Sequence, residues 1–201
     1  MSALAAVHEH NATQQRYFDH EITDPEFEIA RPRTGGRFYS FLMHYKVRTA
    51  LGLTAADITG ASVLHLCAGS GMDAEIVARN GARVTCTDVS VGALERASQR
   101  ASRYGLDFRL TAADAERLPF AGGSFDYAFV HDGLHHLEHP ERALAEMCRI
   151  SRRGVIVTEP ADAALTAIAM RLGAIEAREE AGNEVYRFHP AQLQALFGRL
   201  G

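Results

Sequence analysis

Apolar and polar positions follow two regimes along this chain. Up to about residue 60 they recur at helical spacing. The Ala-rich, polar run from Ser2 to about Glu21 predicts a weakly amphipathic helix. Two prolines and a closing glycine pair mark "TDPEFEIARPRTGG" as loop. "RFYSFLMHYKVRTALGL" then resumes a helix, with Phe38, Phe41, Leu42, Tyr45 and Leu51 as its expected apolar face. From Ala61 short apolar runs alternate with longer amphipathic ones. "SVLHLCA", "RVTCTDV", "LDFRLTAAD", "FDYAFVHD" and "GVIVTEP" read as strands. Between them lie "GMDAEIVARNG", stopped at Gly81, and "SVGALERASQRASRYG", with Ser90 placed to cap its start. "HPERALAEMCRIS" follows, with Pro140 in a first turn that needs no N–H from it. Asp162–Gly182 reads as one further helix. Strands alternating with helices predict a parallel sheet covered on both faces, with ligands beyond the carboxyl ends of the strands. The organisation expected is a helical segment over 1–59 and an α/β domain over 60–201.

Composition narrows the classes. The chain has 201 residues, enough for one domain with a full core. No apolar run approaches the roughly 20 residues of a membrane span and no signal-peptide pattern opens the chain, so a cytoplasmic protein with no membrane partner is expected. A net charge of −4 with no basic stripe speaks against nucleic acid. "ARPRTGGR" is the one basic cluster and reads as solvated loop. Cys67, Cys86 and Cys148, odd in number and widely spaced, read as packed thiols rather than disulfides or a zinc site.

The first chemistry-bearing motif is "VLHLCAGSGMDA", a strand, a glycine turn and a helix. Gly69 and Gly71 let the backbone approach a ligand, and the helix start offers unpaired N–H groups. Asp88, at the end of the second strand, suits the two hydroxyls of a ribose. These features also fit G-x-G-x-x-A, which leaves a nicotinamide-dependent oxidoreductase open.

"DAERLPFAGGSFDYAFVHDGLHHLEHPERALAEMCRISRRGVIVTEP" (Asp114–Pro160) carries the sequence further. Together with the glycine turn it resembles the central motifs of class I S-adenosylmethionine-dependent methyltransferases, in particular the small-molecule branch that includes quinone-biosynthesis enzymes. The resemblance implies a Rossmann-like doubly wound sheet ordered 3-2-1-4-5, S-adenosylmethionine as methyl donor and a small-molecule acceptor. It also implies site roles. Gly69 and Gly71 pass the cofactor's methionine and ribose, Asp88 holds the ribose, and Val89 packs on the adenine. Asp114 and the Ala115 N–H take the adenine edge, and His131 turns its backbone toward the methionine end. Each residue also has a plain structural reading: Asp114 and Asp88 as caps of following turns, Leu118 and Phe120 as core, Asp126 as a loop tie.

Two departures stand out. His65 occupies the position of the family's acidic residue at the end of strand 1, and Cys67 and Ala68 replace its usual Gly-Cys pair. A neutral His65 accepts a hydrogen bond; a protonated one repels a cationic ligand. The chain also stops where the family's C-terminal antiparallel hairpin begins, which leaves strand 5 an exposed edge. A shortened sequence is the favoured reading; a partner such as a second copy of the chain, or the helix over Asp162–Gly182, are the other ways to cover that edge.

Methyl transfer from a sulfonium needs mainly alignment in a dry pocket, and a base only where the acceptor is a hydroxyl. His131, His135 and His136 are the candidates for that base. No metal is expected, because no H-E-x-x-H or spaced Cys/His pair completes a shell around "HDGLHHLEHP". In related small-molecule enzymes the helices before strand 1 form a lid. Tyr17 and Phe18 lie where an aromatic would close over the cofactor; Phe38, Tyr39, Phe41 and Tyr45 are candidates to line the acceptor pocket, with packing on the sheet as the plain alternative. A catalytically silent subunit that kept the fold is the remaining alternative.

Overall fold

A computed structural model describes residues 3–20, 36–53, 57–162, 164–173, 178–179, 183–185 and 188–200. The loop and basic cluster expected between residues 21 and 35 lie outside the described residues, as do the side chains of Phe38 and Tyr39. Two helices, α1 (Ala3–His20) and α2 (Gly36–Leu53), precede the sheet. The chain then alternates through β1 (Ser62–Leu66), α3 (Met72–Arg79), β2 (Arg83–Asp88), α4 (Val91–Tyr104), β3 (Phe108–Ala112) and β4 (Phe125–His131). A short 3-10 turn, Leu134–His136, leads to α5 (Pro140–Ile150), β5 (Ser151–Thr158), α6 (Ala164–Arg171) and α7 (Pro190–Leu200).

The five strands pair in the order β3-β2-β1-β4-β5, all parallel, as the family resemblance implies. Strand alternation sorts the apolar side chains into two cores. Val63, Cys86, Tyr127 and Phe129 meet Val47 and Leu51 of α2, Ile76 and Val77 of α3 and Leu94 of α4. Leu64, Leu66, Ala128 and Val130 meet Leu144, Met147 and Ile150 of α5 and, more peripherally, Leu193 and Phe197 of α7. Burying a Leu or Met side chain of this kind contributes about 1.5–3 kcal/mol. A sheet packed on both faces leaves only its strand ends open to a ligand.

The local signals act as read. Ser90 caps α4, its hydroxyl accepting from the Ala93 N–H at 2.9 Å, and Gly105 ends that helix at φ 63°. Pro140 stands at the first turn of α5. Three expectations need correction. On α2 the buried stripe is Met43, Val47 and Leu51, while Phe41 and Tyr45 stack on each other in solvent at 65% and 61% exposure. The stripe repeats every four residues and faces the sheet, whereas Phe41 and Tyr45 stand two residues out of step with it, on the other side of the helix. β5 begins at Ser151, directly after α5, because Ser151 already pairs with Phe125. Finally, the helix expected over Asp162–Gly182 stops at Arg171. Leu172 and Gly173 turn back on its last carbonyls, and Gly173 adopts φ 68°, which a helix cannot continue.

Candidate active site

The glycine turn after β1 is tightly wound: Cys67, Gly69 and Gly71 adopt φ of 50°, 52° and 75°. At Gly71 a Cβ would meet the Phe108 ring at 3.1 Å and the Ala97 methyl at 3.2 Å, so α3 starts close against α4 and β3. The fully buried Arg100 reaches under the turn and donates to the Ser70 carbonyl at 3.0 Å and to Glu75 at 3.1 Å. Asp88 braces the turn from above. One carboxylate oxygen accepts the Gly69 N–H and the other the Ser90 N–H, each at 2.9 Å. Burial raises the Asp88 pKa against those two hydrogen bonds. Each oxygen keeps a second lone pair, so bracing the turn and receiving ribose hydroxyls are compatible.

Asp114 follows β3. Its carboxylate accepts the Glu116 N–H at 2.9 Å, the local turn that its plain reading expected, and its other oxygen faces the Asn11 amide of α1 at 3.3 Å. Ala115 and Leu118 pack into the second core, and Val89 is half-buried. Helix α1 is fastened across this end of the sheet. The Asp19 carboxylate accepts the Ser90 hydroxyl at 2.6 Å and the Gly92 N–H at 2.9 Å, and Arg96 donates to the Phe18 carbonyl at 2.6 Å. Tyr17 is half-buried and meets Phe18 edge-on, while Phe18 meets His136 edge-on at 5.5 Å. Asp126, expected as a loop tie, instead joins strand starts: within β4 it accepts the Ser62 N–H and hydroxyl of β1 and pairs with Arg152 of β5.

Beside the glycine turn lies a charged chain that the sequence did not suggest. His131, at the end of β4, has Nδ1 3.1 Å from Asp73 on the first turn of α3 and Nε2 3.4 Å from Asp132. Asp132 in turn pairs with Lys46 of α2 at 2.8 Å. Burial opposes the charge on His131, but Asp73 and Asp132 outweigh it and raise its pKa. His65 adjoins them, fully buried and stacked on Phe129 with ring centroids 4.9 Å apart. Burial drives its pKa from 6.5 down to about 4, so it is the neutral form that occupies the acidic residue's place. Neither His65 nitrogen, nor Asp73 Oδ1, nor Asp132 Oδ1 has a hydrogen-bond partner among the described residues. Asp73 falls in the first turn after the glycines, which is the one sequence signal that would have found it.

His135 and His136 point elsewhere. His135 Nδ1 lies 2.7 Å from Glu159, whose other oxygen accepts the Gly133 and Leu134 N–H groups at 2.8 and 2.7 Å. Burial opposes its charge, yet Glu159 and Glu179 lift its pKa to about 9. His136 meets Gln14 of α1 at 3.2 Å through Nδ1, and burial, aided by His135, lowers its pKa to about 4. His10 Nε2 lies 2.6 Å from the His136 carbonyl oxygen. Of the sequence candidates, then, Gly69, Gly71, Asp88, Asp114 and His131 converge on one end of the sheet. Ala68 packs in the core, and Cys67 forms the wall against Gly133.

An open parallel sheet with a glycine turn, and acidic residues closing β2 and following β3, defines a Rossmann-like nucleotide-cofactor protein. Residues 64–158 match the family model described as a methyltransferase domain. Over this segment the chain resembles the class I S-adenosylmethionine-dependent methyltransferases, and the match favours methyl transfer over the nicotinamide reading. It is 40% identical over 99 residues to the demethylmenaquinone methyltransferase of Thermobifida fusca, covering 48% of this chain and 41% of the relative. A second such enzyme, from Renibacterium salmoninarum, is 39% identical over 97 residues, covering 48% and 39%. The chain spans about two-fifths of the length of these curated relatives. Among solved structures it is similar to magnesium protoporphyrin IX methyltransferase from Synechocystis PCC 6803 with bound SAH, at TM-score 0.70 and 19% identity over 93% of this chain and 87% of that one. The [4+2]-cyclase SpnF gives TM-score 0.65 at 24% identity, covering 85% and 59%. Both show the fold. No helix among the described residues is long and apolar enough to cross a membrane.

Proposed function

We propose that this chain transfers a methyl group from S-adenosylmethionine to a small-molecule acceptor. The observation that carries the reading is the row of acceptor oxygens along the carboxyl ends of the strands. Asp114 and Asp88 suit an amino-bearing base and a ribose, and the partnerless oxygens of Asp73 and Asp132 suit a cationic methionine end. Neutral His65 adds no positive charge beside that cation. When bound, the cofactor supplies an electrophilic methyl on a sulfonium that departs as a neutral thioether. The residues then bind, orient and exclude water. Val89 and Ala115 would flank the adenine, Gly69 and Gly71 would admit the methionine and ribose, and α1 with Tyr17 would cover them. His131 is the histidine built to take a proton from a hydroxyl acceptor. Asp73 faces its Nδ1 at 3.1 Å, as a carboxylate faces a base histidine, and Nε2, 3.4 Å from Asp132, would have to turn from that carboxylate to reach an acceptor.

Because these relatives act, by name, on demethylmenaquinone, its reduced form is the first acceptor to try. Calorimetry with S-adenosylhomocysteine, followed by transfer of labelled methyl, tests the reading. Saturable binding weakened about tenfold or more by Asp88→Asn and by Asp114→Asn is expected, since each removes a charge-assisted acceptor. No heat with S-adenosylhomocysteine sinks the proposal. Binding without turnover on any acceptor would leave a silent binding subunit instead.

A further inference from the structure

We propose that His135, His136 and Glu179 form a binding site for a divalent first-row transition metal, Zn²⁺ or Co²⁺ in the first instance. The inference does not depend on methyl transfer. One ligand atom from each of the three lies within 4.8 Å of the other two. His135 Nε2 is 3.8 Å from one Glu179 oxygen, and His136 Nε2 is 3.4 Å from the other. Ligands about 2.0–2.1 Å from a tetrahedral zinc stand about 3.3 Å apart, so a set that lies within 4.8 Å must draw together by up to about 1.5 Å on binding.

Tautomer chemistry strengthens the geometry. His135 Nδ1 faces the Glu159 carboxylate at 2.7 Å, and His136 Nδ1 faces the Gln14 side-chain oxygen at 3.2 Å. Both partners are acceptors, so both Nδ1 atoms carry the hydrogen. On each ring Nε2 is then the atom turned toward the Glu179 carboxylate, and a metal bound there would take the place of the proton that His135 otherwise shares with it. The Glu159–His135 pair is the outer carboxylate that commonly fixes and strengthens a metal-bound histidine. Glu159 is itself rigid, because its second oxygen clamps the Gly133 and Leu134 N–H groups. Two imidazoles and one carboxylate select zinc, cobalt, iron or manganese over the all-oxygen preference of calcium and magnesium.

Three protein ligands leave a coordination position open, as in reactive rather than purely structural sites. A cavity of about 260 Å³ adjoins the site, lined by His10, Leu137, Glu138, Asn183 and Glu184. Asn183 is only 7% exposed, and its side chain faces His136 beside the cluster. The open position would take an oxygen donor, from water or from a small molecule entering there.

The test uses the full chain without an affinity tag, stripped by chelator and titrated with CoCl₂ and then ZnCl₂. Absorption of bound cobalt and calorimetry should report one metal per chain, with zinc displacing cobalt. His136→Ala and Glu179→Gln should each weaken binding by about 30-fold or more, and Glu159→Gln by about 10–100-fold through the outer shell. His139→Ala, outside the cluster, should leave affinity unchanged. Glu179→Gln is nearly isosteric on a half-exposed side chain, and circular dichroism confirms that each variant is folded. Absence of saturable cobalt or zinc binding by the folded wild type overturns the proposal. So does affinity that is unchanged in both His136→Ala and Glu179→Gln. S-adenosylhomocysteine calorimetry on the same samples keeps this outcome distinct from a failure of the methyltransferase reading.

Discussion

Replacing His65 by Leu should make the protein more resistant to acid. His65 is fully buried, stacked on Phe129, and has no hydrogen-bond partner for either nitrogen among the described residues. Burial, partly offset by Asp73, lowers its pKa from 6.5 to about 4 in the folded protein. The unfolded chain therefore binds a proton at this site below pH 6.5, while the folded chain refuses it until about pH 4. Stability rises with pH wherever the unfolded state holds more protons, so this residue costs stability progressively as pH falls through that window. At about 1.4 kcal/mol per pH unit, the loss reaches about 2 kcal/mol near pH 5 and about 3 kcal/mol once the window is crossed. Leu fills a similar volume and also removes two unsatisfied buried nitrogens, whose desolvation costs about 1–3 kcal/mol each. Loss of the stack on Phe129 offsets part of that gain, so His65→Leu should be at least as stable as wild type at about pH 7.5. Urea unfolding of both proteins at about pH 7.5 and about pH 5 reads the difference directly. The gap should widen by about 2 kcal/mol toward acid, with histidines remote from His65 cancelling in the subtraction and only the adjoining His131 shifting with it. A gap that stays constant between the two pH values refutes the account of His65 as a buried neutral imidazole.

Other perturbations test the scaffold around the site. A Cβ at Gly133 would stand 2.6 Å from that of Cys67 and 3.0 Å from Val130, so Gly133→Ala should lower the thermal midpoint by a cost of about 1–3 kcal/mol; an unchanged midpoint contradicts the close contact of β1 and β4. Arg100→Leu removes the buried donors to Ser70 and Glu75 and should cost about 3–5 kcal/mol in urea unfolding, against less than 1 kcal/mol for an ordinary surface arginine. Asp19→Ala deletes the acceptor that joins α1 to the start of α4, at about 1–2 kcal/mol. Amide exchange should then quicken in α1 while the sheet keeps its protection, and equal protection in both proteins would show that α1 is held by something else.

Much of this fold is written locally. Each strand is a short apolar run bounded by glycine or polar turns, and Ser90, Gly81 and Pro140 mark helix ends by their own backbone chemistry. The order of the strands came only from the family resemblance, since nothing in a parallel strand's own residues names its neighbour. Where bulk stood in for burial the reading failed: Phe41 and Tyr45 drew α2 to the wrong face, although Met43, Val47 and Leu51 carry the regular four-residue step. At Gly173 the apolar spacing continues while the backbone, at φ 68°, cannot carry a helix on.

The crowded stretch His131–Pro140 shows what local reading cannot supply. Asp132 adopts φ 47°, a conformation that turns the chain sharply at the end of β4. Before the turn, His131 belongs to the strand and faces Asp73 and the glycine turn. After it, His135 and His136 sit on a 3-10 turn and face Glu159, Gln14 and Glu179. Histidines adjacent in sequence are thus divided between two sites by one backbone angle. The metal reading looked incomplete in the sequence because its third ligand, Glu179, lies in a distant segment with no motif of its own. Glu179 stands beside the pair next to the bridge between Arg178 and Glu184. The same residue types that suggest one cluster in one dimension resolve, in three, into a histidine held between two carboxylates and a candidate His-His-Glu centre.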